Sequence, residues 1–202
     1  IQAITDIQQA SHASDVIEVL AQETIDLAQL RFAQVQAMAG RGAYLSIEKA
    51  VQLALTDQIG AIVTAALHKE ALNAAGYDFP GHTEILAHLC GVKGVTMLLV
   101  AGSSRVSHVS THCSLRQAIE RAKTERILSV IRITDEALQS LGVSTRRIAV
   151  AGLNPHCGEN GLFGDEDDTQ VRPAVQAAQA QGLSVVGPIP PDTVFTRMNR
   201  GQ

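Results

Sequence analysis

Tryptophan is absent from the 202 residues, and aromatic side chains make up 3% of the chain. A platform on which nucleic-acid bases stack is therefore missing. Positive charge is scarce as well. Sixteen Lys and Arg against 20 Asp and Glu leave a formal net charge of −4, and no basic run follows one face. This excludes the electrostatic footprint of a nucleic-acid binder. The three cysteines, Cys90, Cys113 and Cys157, are odd in number and make no Cys-x-x-Cys pair. Reduced thiols in a cytoplasmic protein are the simpler expectation. No apolar run is long enough to span a bilayer, so no membrane contact is expected. The amino terminus lacks both an initiator Met and the basic-then-apolar pattern of a signal peptide. With a loop-like carboxyl terminus, Arg197 to Gln202, both ends are expected to be cuts through a larger protein. Gly-x-Gly-x-x-Gly, a Walker loop and Gly-x-Ser-x-Gly are all missing. A dinucleotide, if bound, is not held by the Rossmann fingerprint, and no hydrolase elbow is present.

The chain is 46% hydrophobic, which suffices for one sizeable core built from Ala, Val, Leu and Ile. Apolar spacing predicts a helix from about Ile17 to Gly40, and Ser46 can cap a second over Ile47 to Thr56. The run from Ala61 to Ala66 reads as a buried parallel strand. Helices follow over His68 to Ala75 and Thr83 to Leu89. Strands are expected over Val95 to Val100 and Arg105 to Ser110, then helices over Leu115 to Lys123 and Thr124 to Leu141. A strand over Arg147 to Gly152 runs into a loop, a helix covers Thr169 to Gln181, and a strand covers Leu183 to Val186 before the turn Gly187 to Pro191. The alternation implies an α/β fold with a mainly parallel sheet covered on both faces. Residues 1–60 are assigned to part of a first α/β domain, and residues 61–202 to a central α/β domain that carries the site.

In such sheets, ligands gather at the carboxyl ends of strands. Three histidines fall at places of that kind. His82 lies in Gly81-His82-Thr83-Glu84, His112 in Ser110-Thr111-His112-Cys113, and His156 in Asn154-Pro155-His156-Cys157-Gly158-Glu159. Neutral imidazole is the commonest side-chain metal ligand, although most loop histidines are surface or hydrogen-bonded structural residues. His156 stands out because Gly152, Gly158, Gly161 and Gly164 crowd its loop and Pro155 stiffens it. The acidic run Asp165 to Asp168 reads first as a complement to a helix dipole and second as a cation site. Asp192 either caps a turn or points into the site. Lys69 either meets a phosphate or carboxylate or is a solvated helix-start lysine. His108 and His112 share a face if one strand runs through both, but a structural role explains His108 equally well. The cysteines read as core or supporting residues, with thiol ligation by Cys113 or Cys157 open.

Together these segments resemble the PdxA family of NAD-dependent dehydrogenases, typified by 4-hydroxythreonine-4-phosphate dehydrogenase of pyridoxal phosphate (pyridoxine) biosynthesis. The resemblance is carried by Val63-Thr64 through His68-Lys69, Gly81-His82-Thr83-Glu84, Thr111-His112, Gly152 to His156 with Gly158-Glu159, and Gly187-Pro188 through Asp192-Thr193. It spans most of residues 60–196. It implies a three-layer α/β/α fold like that of isocitrate and isopropylmalate dehydrogenases, with two domains and a cleft, in a homodimer whose active sites draw on both subunits. It implies a divalent metal (Zn, Mg, Mn or Co) held by three histidines. His112 and His156 match two of them, and the third is expected outside these residues. His82 and Thr83 match substrate-binding positions, and Asp192 and Lys69 are the catalytic candidates. The implied reaction is oxidation of a 4-phosphorylated hydroxy acid by NAD followed by loss of CO₂, for which a Lewis acid on neutral imidazoles is suited. D-threonate or D-erythronate 4-phosphate dehydrogenation is the alternative within the family. A non-catalytic metal-binding homologue is the alternative outside enzyme function.

Overall fold

The computed structural model describes residues 1–11, 13–22 and 24–201, so His12, Glu23 and Gln202 lie outside the description. Helices and short strands mix throughout, as an α/β chain requires. The chain divides into two compact units, Ile1–Lys93 and Gly94–Gln202.

In the first unit, β1 (Gln2–Ile4) pairs in parallel with β2 (Glu18–Leu20). Three helices follow: α1 (Ala37–Leu55), α2 (Lys69–Ala74) and α3 (His82–Leu89). Tyr44, Ile47 and Val51 recur at helical spacing and bury one stripe of α1 against Leu72 of α2 and Ile85 of α3. Leu72 and Ile85 are fully buried, each contributing about 1.5–3 kcal/mol by removal from water. Tyr77 stacks on Tyr44 with ring centroids 3.8 Å apart.

Three expectations for this unit are overturned. None of the described residues from Ile17 to Gln36 is helical: Glu18–Leu20 are taken into the ladder with β1, and helix begins only at Ala37. Gly40 and Gly42 lie inside α1 rather than at a helix end. The backbone of α2 passes where a Cβ at Gly40 would sit, so this glycine serves close approach and not termination. Ser46, expected as a cap, is mid-helix, and its Oγ donates to the Gly42 carbonyl at 2.8 Å. Residues 61–66 form no strand, and Val63 is 96% exposed. A buried strand needs a neighbour to complete its ladder, and none among the described residues pairs with it.

In the second unit, β3 (Leu98–Ala101) and β4 (Ser104–Ser107) form an antiparallel hairpin, a departure from the mainly parallel expectation. Next come α4 (Leu115–Arg121), opened by a Ser114–Gln117 capping box, and α5 (Thr124–Ser140). Then β5 (Ile148–Ala151), α6 (Arg172–Ala180) and β6 (Val185–Ile189) make a parallel β-α-β unit. Ile127 and Ile131 of α5 meet Val171, just before α6, and Ala174, Val175 and Ala178 within it, with Val185 of β6 beneath them. The apolar residues on each helix stand three or four apart, so one face of each is committed to this core. The turn expected over Gly187 to Pro191 is not there: β6 runs on through Gly187 and Pro188 to Ile189, and a final helix, α7 (Pro191–Asn199), begins at Pro191. Pro191 suits a first helical position, and Asp192 falls in the first turn, where a carboxylate is favoured.

Candidate active site

The carboxyl end of β5 delivers the chain to Gly152, whose N–H donates to the Ile189 carbonyl of β6 at 2.8 Å. Asn154 stays extended (φ −98°, ψ 157°), as the residue before proline must. The backbone then does something costly. His156 (φ 52°), Cys157 (φ 55°), Glu159 (φ 43°) and Asn160 (φ 55°) all adopt left-handed conformations, each roughly 1–2 kcal/mol uphill for a residue with a Cβ. Such strain persists only where surrounding contacts over-determine it, and it gathers at functional sites. One contact is the turn closed by the Phe163 N–H on the Gly158 carbonyl at 3.1 Å. There Gly158 (φ 82°) faces the Gly164 carbonyl across space a side chain would occupy. The Phe163 ring lies tilted against the His156 imidazole, with centroids 6.4 Å apart.

The acidic run takes three separate roles. Asp168 is exposed and pairs with Arg172 at 2.7 Å, a solvated helix-face contact close to the expected reading. Asp167 departs from it. Its side chain is fully buried, and it accepts the Leu153 N–H at 2.8 Å and the Asn154 N–H at 2.9 Å. Glu166 accepts the Asn154 side-chain amide at 2.7 Å. That hydrogen bond, with one from the backbone, holds the Glu166 carboxyl below its ordinary range. A carboxylate with a lowered folded-state pKa contributes stability that is fully present above its unfolded pKa and lost as pH falls through the folded value. The Asn154 side-chain amide protons should therefore exchange slowly at neutral pH and lose protection below the usual glutamate range. In Glu166→Gln this acid-dependent loss should vanish, which NMR of the Asn154 amide would show.

A cleft of about 400 Å³ opens beside this loop, lined by His156, Cys157, Glu159, Asn160, Asp168 and Arg172. Burial raises the Cys157 thiol pKa, and the charges of Asp167, Asp192 and Asp168 raise it further against Arg172. The thiol thus stays protonated at neutral pH, while the same carboxylates give the loop an acidic surround that suits a cation. Asp192, exposed in the first turn of α7, is close enough to be one of these charges.

His112 lies in the same unit but does not line this cleft. It too is left-handed (φ 51°), exposed, and two residues ahead of the Ser114 cap. Its approach is pinned by Arg126 of α5, which donates to the carbonyls of Val109 (3.0 Å) and Val95 (3.0 Å). His108 does not share a strand with His112: β4 ends at Ser107, and the His108 ring sits beside the Met97 carbonyl. In the first unit, half-buried His82 and Thr83 open α3, and exposed Lys69 opens α2. His68 caps α2, its Nδ1 accepting the Ala71 N–H.

Among the described residues no group of three or more His, Cys, Asp or Glu side chains gathers as a metal site. The unit offers two imidazoles on strained backbone, plus acidic oxygens near His156. Nitrogen and oxygen donors of this kind fit a divalent cation. Sequence reasoning missed Arg126, and it singled out Glu166 and Asp167 only as part of an acidic run, without the loop contacts they make.

A family model described as "Pyridoxal phosphate biosynthetic protein PdxA" matches residues 1–202. A D-threonate 4-phosphate dehydrogenase from Salmonella typhimurium is 44% identical over 202 residues, covering 100% of this chain and 62% of the relative. A 4-hydroxythreonine-4-phosphate dehydrogenase from Beijerinckia indica is 44% identical over 203 residues, covering 100% and 60%. The crystal structure of a 4-hydroxythreonine-4-phosphate dehydrogenase from Klebsiella pneumoniae superposes with a TM-score of 0.94 at 46% identity, covering 99% of this chain and 62% of that one. The chain thus spans about three fifths of the length of each of these relatives.

Proposed function

The chain belongs to the PdxA family, and from that premise we propose that it forms part of an NAD-dependent, metal-dependent dehydrogenase of a 4-phosphorylated hydroxy acid, of the 4-hydroxythreonine-4-phosphate type. The observation that carries this reading is the left-handed backbone at both His112 and His156, the two positions matching the family's metal ligands. Left-handed backbone is costly for a residue with a Cβ, and such strain gathers at functional sites. His112 and His156 would hold the divalent ion, with a third ligand from the part of the relatives' length this chain does not span. When bound, the ion supplies Lewis-acid polarisation of the substrate's oxygen atoms. Asp192 and Lys69 would be the catalytic residues, with Asp192 holding or passing a proton, and His82 and Thr83 would bind the substrate. We retain for the whole protein a three-layer, two-domain α/β/α fold with a cleft and a cytoplasmic homodimer with shared active sites. Within it, residues 1–60 would belong to a first domain and 61–202 to a central one. No helix among the described residues is long and apolar enough to cross a membrane.

A second substrate is favoured by a specific observation: the Salmonella typhimurium relative, equal in identity to the Beijerinckia indica one, is named for D-threonate 4-phosphate. The two acids differ by an amino group in place of a hydroxyl. Reduced-nicotinamide formation by the intact protein, with each acid, NAD⁺ and Zn²⁺, Mn²⁺ or Mg²⁺, decides between them. Turnover of one acid is the expected result. Turnover of neither acid with NAD⁺ or NADP⁺ under any of these metals would sink the proposal.

A further inference from the structure

Asp167 is charged and fully buried, and no step of the proposed chemistry uses it. We propose that Asp167 is a positioning residue for His156, the latch that holds the strained metal-binding loop in its left-handed conformation. The inference rests on the reading of His156 as a ligand. Three observations carry it. The two carboxylate oxygens are divided between consecutive backbone N–H groups, Leu153 on Oδ1 and Asn154 on Oδ2, and so fix the direction of the chain two residues before His156. Glu166, the preceding residue, takes the Asn154 side chain, so adjacent carboxylates grip one loop residue by backbone and side chain. Gly152 leaves room for the latch: a Cβ there would stand 3.0 Å from Asp167 Oδ1 and 2.8 Å from Cys157 Sγ.

The carrier of the latch is itself irregular. Asp167–Val171 form a π turn before α6, a feature often found at functional sites. A buried carboxylate is costly unless its oxygens are satisfied. Here both are satisfied by the loop, so loop and carboxylate stabilise one another. A helix-dipole role would require only an exposed carboxylate, and Asp168 already provides one.

The test is Asp167→Asn in the intact protein. The substitution keeps the shape but sets an amide donor against a backbone donor. Two quantities are read: hydrogen exchange of the segment 152–160 without metal, and the affinity for Co²⁺ used as the probe ion. Exchange in this segment should become at least about tenfold faster, the factor for a lost charge-assisted hydrogen bond. Co²⁺ should bind about 10–100-fold more weakly, as when a residue orienting a ligand is removed. Val175→Ala, a core change in α6, should lower overall stability and leave Co²⁺ affinity unchanged, separating positioning from general loosening. Unchanged exchange in Asp167→Asn, or faster exchange with wild-type Co²⁺ affinity, overturns the proposal. If Asp167→Asn does not fold, Asn154→Ala, which removes the Glu166 half of the grip, must show both effects in smaller degree. Wild-type values there overturn the proposal equally. A wild-type protein that binds no Co²⁺ overturns the ligand reading of His156 and this role with it, whereas the exchange result alone still reports whether Asp167 holds the loop.

Discussion

Replacing His156 by alanine in the intact protein is expected to remove bound metal and lower kcat/KM by roughly 10³-fold or more. A divalent ion contributes several kcal/mol of charge stabilisation to such an oxidation, and each 1.36 kcal/mol is a factor of ten. His112→Ala should cost about as much. The double variant should cost little more than either single, because residues that act as one unit are not additive. His156→Gly separates site from scaffold. It removes the ligand yet relieves a left-handed residue (φ 52°), so it should be as inactive as the alanine variant. At the same time it should be equal or up to about 1 kcal/mol higher in stability, the relieved strain offset by glycine's greater chain entropy. Metal analysis, steady-state kinetics and urea unfolding together check this. A His156→Ala protein with full metal content and normal turnover would end the ligand assignment.

How far this site could be read in the sequence depended on the range of the interaction. Glycine crowding and Pro155 marked the loop from Gly152 to Gly164 because stiffness and left-handed backbone leave a local compositional trace. The same holds for α4 and α5, whose apolar residues recur within each helix and whose boundaries fall close to expectation. The latch on that loop left no such trace. Asp167 reaches back 14 residues to Leu153, and in the chain it is indistinguishable from Asp168, which faces solvent. Arg126, linking 31 residues back to Val95, is equally silent. The misread helix over Ile17 to Gly40 has the same origin. Glu18–Leu20 are short enough for either structure, and pairing with β1, which lies upstream of the segment, decides the outcome. The apolar run 61–66 shows the converse: a strong local pattern without a neighbouring strand forms no strand.

Gly40→Ala is the change for which local and tertiary arguments disagree most sharply. Gly40 lies inside α1, where alanine is preferred over glycine by about 1 kcal/mol. On propensity alone the variant should be more stable. The packing of α1 against α2 argues the opposite. A Cβ at Gly40 would overlap the Ala71 carbonyl and come within 2.6 Å of the Leu72 nitrogen. Both are backbone atoms, so no side chain can swing aside. The helix they belong to has six residues, and Leu72 within it is fully buried against Tyr44, Ile47, Val51 and Ile85. Displacing α2 therefore opens the core of the first unit and disturbs the turn in which the Tyr77 N–H reaches the Leu72 carbonyl. Overpacking of this kind costs roughly 3 kcal/mol or more where backbone must move, well beyond the gain in propensity. Gly60→Ala is the matched control. Nothing lies within 4 Å of its added Cβ and its φ is not left-handed, so it should be neutral or stabilising by up to about 1 kcal/mol. Urea unfolding of the two variants against wild type measures both terms. A Gly40→Ala protein at least as stable as wild type would show that α2 does not approach α1 as closely as its backbone indicates.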